Sequence, residues 1–440
     1  MPGADEVGSV AALTDAGEGV VRGGKTVFIA GALPGETVRF RRVRRHRQHD
    51  DGELLEVIEA AAVRVTPQCA HFGICGGCAL QHLSPQAQIE AKQSELRDHF
   101  ERLGRVAPES WLEPLRGPVW GYRRRARLGA KYVIKKGRVV VGFRERMAPY
   151  VAEVQRCEVL APPVGGMIAA LAALLNGLSI RDRLPQIEVA VADNATALVL
   201  RVLDSPTDED LRRLREFARE QGVRFYLQPK GLDSVRALDE EPGDPLVYRL
   251  PRFGLELEFA PTDFVQINGP VNEALVSKAV ELLGLSGDAT VLDLYCGLGN
   301  FTLALAKVAR RVVGIEGDQA LVERARHNAR RNGIENVEFH VADLAKAISP
   351  SAAWMKQPFT HVLIDPPRAG ARETLPAIAS LAPQTVLYIS CHPGSLARDV
   401  GMLTHELGFV LRAAGVLDMF PHTSHFESIA LLTPGRGGRS

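Results

Sequence analysis

The chain has 440 residues, 46% hydrophobic and 24% charged, with a formal net charge of +1. These are ordinary values for a globular protein of two or three domains, and they exclude a globally basic nucleic-acid binder, leaving only local patches for such contacts. Six cysteines in this length exclude a disulfide scaffold, and an opening "MPGADEVGSV" without a basic or apolar signal region points to the reducing cytoplasm.

Residues 1–60 read as short strands punctuated by Gly-Gly, Pro-Gly and Asp-Asp-Gly, the pattern of a small β-barrel. Arg39, Arg41, Arg42, Arg44, Arg45 and Arg47 crowd one strand end. That charge either protects an edge strand from aggregation or contacts phosphates, and on a small barrel the second reading is preferred.

Residues 61–260 form a central segment. In "CAHFGICGGCALQHL" Cys69, Cys75 and Cys78 share one short loop, and Cys157 follows in "VQRCEVL". Four thiolates can hold a tetrahedral zinc or an iron–sulfur cluster, and spacing alone leaves both open. In "YRRRARLGAK" Arg123, Arg125, Arg127 and Lys131 share parity, so one strand face is basic. The apolar "VGGMIAALAALLNGLSI" is too short and interrupted for a membrane span and reads as a buried helix.

Residues 261–440 alternate strands, at 290–295, 311–316, 337–342, 361–365, 385–390, 409–417 and 426–432, with helical spacing between the earlier ones. This is a doubly wound, Rossmann-like sheet, which binds ligands at the carboxyl ends of its strands. The first strand runs into "DLYCGLGNF", where Gly297 and Gly299 permit a tight turn. A dinucleotide fingerprint would place a small residue where Thr302 stands. The second strand ends at Glu316, about twenty residues on, placed to accept both ribose hydroxyls. Later strands end at Asp343, Asp365 and Ser390-Cys391. This pattern fits an adenosine ligand without a pyrophosphate, and S-adenosylmethionine is the best candidate.

Cys391 precedes Pro393 at the start of a helix, whose N-terminal partial charge, with Arg398, would stabilise a thiolate. Near the chain end "DMFPHTSHFES" delivers Glu427 into the last strand. If that strand is antiparallel, Glu427 faces Cys391. A methyl donor, a thiolate and a carboxylate suit methylation of uracil carbon 5. The thiolate adds at carbon 6, carbon 5 attacks the methyl, and a base removes the remaining proton before the thiol leaves. Glu427 is the preferred base, ahead of His422 and His425.

"FVQIN", "DLYCGLGNF", "DPPRAG", "SCHPGSLARD" and "DMFPHTSHFES" together resemble the successive motifs of the RNA uracil-C5 methyltransferases over nearly the whole chain. The resemblance implies that Gln266, Tyr295, Asn300, Glu316, Asp343 and Asp365 line the S-adenosylmethionine site, with Cys391 and Glu427 catalytic; Asp365 can equally touch the uracil edge. The family often has Asn where His392 stands and Val where Phe426 stands, changes that remove no reacting group. The resemblance also implies a structural [4Fe-4S] cluster on Cys69, Cys75, Cys78 and Cys157, and an N-terminal TRAM domain, an OB-like RNA-binding barrel. Barrel and cluster together point to the bacterial branch acting on 23S ribosomal RNA, at uridine 1939, as a monomer without membrane partners. The rivals are a transfer-RNA or other ribosomal target, a nitrogen methyltransferase needing no cysteine, and a non-catalytic RNA-binding factor.

Overall fold

The computed structural model describes residues 4–239 and 243–435. Strands β1 (Asp5–Leu13), β2 (Glu18–Val21), β3 (Thr26–Ala30), β4 (Thr37–Arg45) and β5 (His49–Glu59) close into a barrel in the order β1-β2-β3-β5-β4. Alternation along β4 sends Val38 and Phe40 inward, onto Val10, Val21, Val27 and Ile29, and leaves Arg39 outward. The arginine cluster divides. Arg39 pairs with Glu56, Arg41 with Asp5, and Arg42 with Glu6 and Asp50. Arg44, Arg45 and Arg47 stay exposed.

Helix α1 (Pro85–His99) starts on a Ser84 cap, with Oγ accepting from Ala87 N at 3.3 Å, and Pro85 fills the first turn. After it comes the two-residue strand β6 (Ser110–Trp111). A six-stranded sheet follows, built from β7 (Arg125–Val133), β8 (Arg138–Gly142), β9 (Gln186–Val191), β10 (Thr196–Arg201), β11 (Val223–Gln228) and β12 (Arg236–Ala237). Helix α2 (Val164–Asn176) is the apolar stretch, burying Met167, Ile168, Leu171 and Leu175 against this sheet at about 2 kcal/mol each. Among the described residues no helix is long and apolar enough to cross a membrane. The basic face of β7 is partly spent internally. Arg125 bonds Pro261 O, Arg127 pairs with Glu188, and Arg123 donates to Arg125 O. Helix α3 (Asp208–Gln221) and the hairpin β13 (Leu246–Leu250)–β14 (Leu255–Phe259) lead to α4 (Gly269–Leu283).

The last sheet contains β15 (Thr290–Leu294), β16 (Arg311–Glu316), β17 (Val337–Val341), β18 (His361–Ile364), β19 (Thr385–Ser390), β20 (Phe409–Leu417) and β21 (Glu427–Pro434), with β6 on its edge. Helices α5 (Thr302–Ala306), α6 (Gln319–Arg331), α7 (Leu375–Ser380) and α8 (Pro393–His405) connect its strands. The order is β17-β16-β15-β18-β19-β21-β20-β6, so the strand order reverses between β15 and β18. Of the seven strands from 290 onward among the described residues only β21 runs antiparallel, inserted between β19 and β20. The turn after α1 lies hard against α8: a Cβ on Gly401 would come 2.8 Å from Gly104 O, so the approach demands glycine.

Candidate active site

The carboxyl edge at the β15/β18 reversal is where such sheets place their ligand crevice. Leaving β15, the chain turns through Tyr295 (φ 65°), Gly297 (φ 54°) and Gly299 (φ 100°). Two glycines make this turn cheap, but Tyr295 in the left-handed region costs about 1–2 kcal/mol. Its hydroxyl donates to Leu344 O at 3.0 Å, which helps hold it there. Glu316 closes β16 with its carboxylate fixed by backbone. Gly297 N donates to Oε2 at 3.1 Å, and Gly317 N and Asp318 N donate to Oε1 at 2.7 and 3.1 Å.

The remaining crevice residues are less uniform. Asp343 is exposed and pairs with Lys346 at 2.7 Å, which holds its carboxyl below the usual range. Asn300 exchanges two 2.9 Å amide bonds with Asn272 and accepts a third from Tyr248 Oη. Gln266 joins Tyr248 and Asn272 around a cleft of about 210 Å³. Asn300, which follows Gly299 directly, is thus tied to α4 through Asn272, and Gln266 lines the cleft beside these partners. Asp293, in β15, is a residue that the sequence reading overlooks. It is fully buried, with Oδ2 accepting from Thr302 Oγ1 at 2.5 Å and Oδ1 without a partner, and burial pushes it up to about 7. The only sequence signal was Thr302 standing where a small residue is usual.

Cys391 and Glu427 meet through strand register. Ser390 faces Ser428 across the antiparallel β19–β21 pair, and Ser428 Oγ donates to Ser390 O at 3.0 Å. One step further along, Cys391 leaves β19 where Glu427 enters β21. Asp365 stands at the end of the adjacent β18, its N donating to Leu294 O at 3.3 Å. Burial pushes the Cys391 thiol up to about 11, helped by the carboxylates of Glu427 and Asp365 and opposed by Arg368. Burial likewise raises Asp365 to about 7, and raises Glu427 well above a normal carboxyl with Asp365 adding to it.

This corrects the expectation of a thiolate stabilised in the resting site. The helix start is present, but burial and two carboxylates outweigh it. Arg398 does not help, because it turns away to Asp399 at 2.7 Å and to Ala369 O at 2.8 Å. Asp399, buried, also accepts from Ala371 N and Tyr388 Oη, both at 2.7 Å, so this trio anchors the loop that follows Asp365. His392 caps α8, its Nδ1 accepting from Ser395 N at 3.1 Å, a task that Asn performs equally well.

Cys391 opens into a cleft of about 440 Å³, lined by Asp15 from the barrel, Glu95 and His99 from α1, Arg368 and His425. His422 is buried and stacked on Trp120 at 3.9 Å, and burial lowers it to about 4. Cys69, Cys75, Cys78 and Cys157, all free thiols, line one small cavity with Phe143 and Val154. Burial pushes Cys75 to about 11 and Cys78 to about 12, with neighbouring thiols pushing the same way.

A doubly wound sheet with its last strand reversed, closing on a cysteine, defines an enzyme of the nucleoside-cofactor methyltransferase type. The same fold occurs in a Pyrococcus abyssi tRNA (uracil-54, C5)-methyltransferase solved with S-adenosyl-L-homocysteine (TM-score 0.76, 24% identity, 97% of this chain and 99% of that one). The chain belongs to the tRNA (Uracil-5-)-methyltransferase family, which it matches over residues 86–434. It is 51% identical to the 23S rRNA (uracil(1939)-C(5))-methyltransferase RlmD of Alkalilimnicola ehrlichii, covering 92% of this chain and 91% of that protein. With the enzyme of the same name from Alcanivorax borkumensis it shares 47% identity, over 98% and 97%.

Proposed function

We propose that this protein methylates carbon 5 of a uridine in 23S ribosomal RNA, uridine 1939 as in the names of its relatives, with Cys391 as nucleophile and Glu427 as base. The observation that carries the mechanism is the register of β19 on β21, whose Ser390–Ser428 pair makes Cys391 and Glu427 the next residues on the two chains at the carboxyl edge.

The crevice fits S-adenosylmethionine: a carboxylate fixed by three backbone N–H groups keeps one lone pair, on Oε2, free for a ribose hydroxyl. Gln266, Tyr295, Asn300, Glu316, Asp343 and Asp365 would hold it. When bound, it supplies an electrophilic methyl group. Cys391 gives up its proton to Asp365, which leaves Glu427 ionised, and its sulfur adds to uracil carbon 6. Carbon 5 takes the methyl. Glu427 then removes the carbon-5 proton, the freed electron pair restores the ring double bond, and the Cys391 thiolate departs. Asp365 would equally reach the uracil edge from the end of β18.

The four free cysteines that line one small cavity would hold the [4Fe-4S] cluster that the family resemblance implies. Its role here would be structural. The barrel acts as a TRAM-like RNA-binding module through exposed Arg44, Arg45 and Arg47. The target uridine must leave its stack to enter the Cys391 cleft. Such an enzyme works with ribosomal RNA in the bacterial cytoplasm.

The test is RNA carrying 5-fluorouracil. Carbon 5 then has no proton for Glu427 to take, so enzyme and RNA should remain covalently joined through SDS denaturation. A nitrogen methyltransferase or a binding factor forms no such species. The titrations give a second expectation. Asp365, raised to about 7, must be ionised to accept the Cys391 proton, so the single-turnover rate should climb from about pH 6 and level off above about pH 8. A profile already flat at about pH 6 would show that no carboxyl raised to this range takes the thiol proton, and would overturn this part of the reading.

A further inference from the structure

The Asp418–Phe426 segment, which delivers Glu427 into β21, has no helix or strand of its own. It is held from outside, by residues more than 290 positions earlier in the chain. Lys92, 1% exposed on α1, donates to Asp418 Oδ1 at 2.7 Å and to Phe420 O at 3.2 Å. Gln88, also 1% exposed and one turn earlier, accepts from His422 N at 2.8 Å, and its Nε2 lies 3.3 Å from His422 Nδ1. Ala79 N and Leu80 N both donate to His422 O at 2.9 Å, and Tyr122 Oη donates to Pro421 O at 2.9 Å. His422 itself is held at φ 65°, a left-handed backbone that a non-glycine residue keeps only when its surroundings impose it.

We infer that Gln88 and Lys92 are positioning residues for the catalytic base: they clamp the loop whose next residue is Glu427. The inference rests on the reading of Glu427 given above and extends it. Ala79 follows Cys78 directly, so the loop that carries Cys69, Cys75 and Cys78 grips the same His422 carbonyl. The clamp bears on one half of the reaction. Cys391 is set by β19 and the capped start of α8, whose hydrogen bonds to Ser390, His392 and Ser395 do not involve the loop. Glu427 is one residue from the loop's end. A small shift there leaves thiol addition and methyl transfer in place, while the carboxylate loses its line to the carbon-5 proton.

The experiment uses full-length Gln88→Met and the double variant Lys92→Met/Asp418→Asn, in which no buried charge is left alone. Each is mixed with ordinary uracil-containing RNA and methyl-labelled S-adenosylmethionine, quenched in SDS, and scored for label in covalent complex and in free RNA; thermal melting verifies folding. A misplaced base slows release about a hundredfold while first-turnover methyl incorporation stays within about threefold, so labelled covalent complex accumulates. A merely structural contact lowers both halves together and traps nothing; that result, or unimpaired release, overturns the inference. Glu427→Gln is run alongside. If it also releases product freely, the assignment of the base is what fails, and the positioning role falls with it.

Discussion

Replacing Cys391 with Ala is expected to cut methyl transfer to uracil by about 10⁴-fold or more, the scale seen when a covalent nucleophile is deleted. Carbon 5 of a neutral uracil does not attack a methyl group at a useful rate until carbon 6 is saturated, so no weaker version of the reaction survives the loss. No neighbour can substitute. Cys296 is buried in the core and pushed far above a normal thiol, and His392 spends its Nδ1 on capping α8. RNA and cofactor affinities should change little, because the sulfur is one atom on the wall of a cleft of about 440 Å³. Labelled methyl in RNA, measured beside binding of both ligands, separates these effects. Residual methylation within about tenfold of the parent would mean that no carbon–sulfur bond is needed.

How much of this was readable before the structure follows from how local each signal is. Cys391, Asp365 and Glu316 are legible because alternating strands and helices oblige every strand to end at one edge, and the last residue of each strand is written in the chain. Glu427 needs one further fact, the reversal of β21, which the motif suggests and the β19–β21 pairing supplies. The state of the thiol was not legible. The sequence displays the helix start and Arg398, but the burial and the carboxylates that raise Cys391 arrive from β18 and β21. Gln88, Lys92 and Asp399 were invisible for the same reason. Gln88 and Lys92 bond partners more than 320 residues away, and Asp399 matters only because Ala371, 28 residues earlier, folds back onto it. The arginines of β4 look uniform in the sequence, yet three are neutralised by acids on β1 and β5.

Changing Glu427 to Gln should produce the opposite failure from loss of the cysteine. The amide occupies nearly the same volume, so packing at the buried start of β21 and its pairing of Ser428 with Ser390 and of position 427 with Leu417 should persist. Addition of Cys391 becomes, if anything, easier: removing the carboxylate takes away the larger of the two charges that raise the thiol. Methyl transfer then proceeds once. What remains is a ring with a proton on carbon 5 and sulfur on carbon 6, and elimination requires a group that accepts that proton. Asp365 already holds the proton taken from Cys391, and His422 is buried, stacked and tied to Gln88. His425 lines the cleft, and its lowered basicity, caused mainly by burial, makes it a poor replacement. The expected result is a methylated RNA–enzyme complex that survives denaturation with natural uracil, with turnover reduced about 10³-fold. It should build up within one turnover and decay slowly. If E427Q instead turns over at near the parent rate with no trapped complex, the proton leaves by another route, and the strand reversal that places this carboxylate has some other purpose.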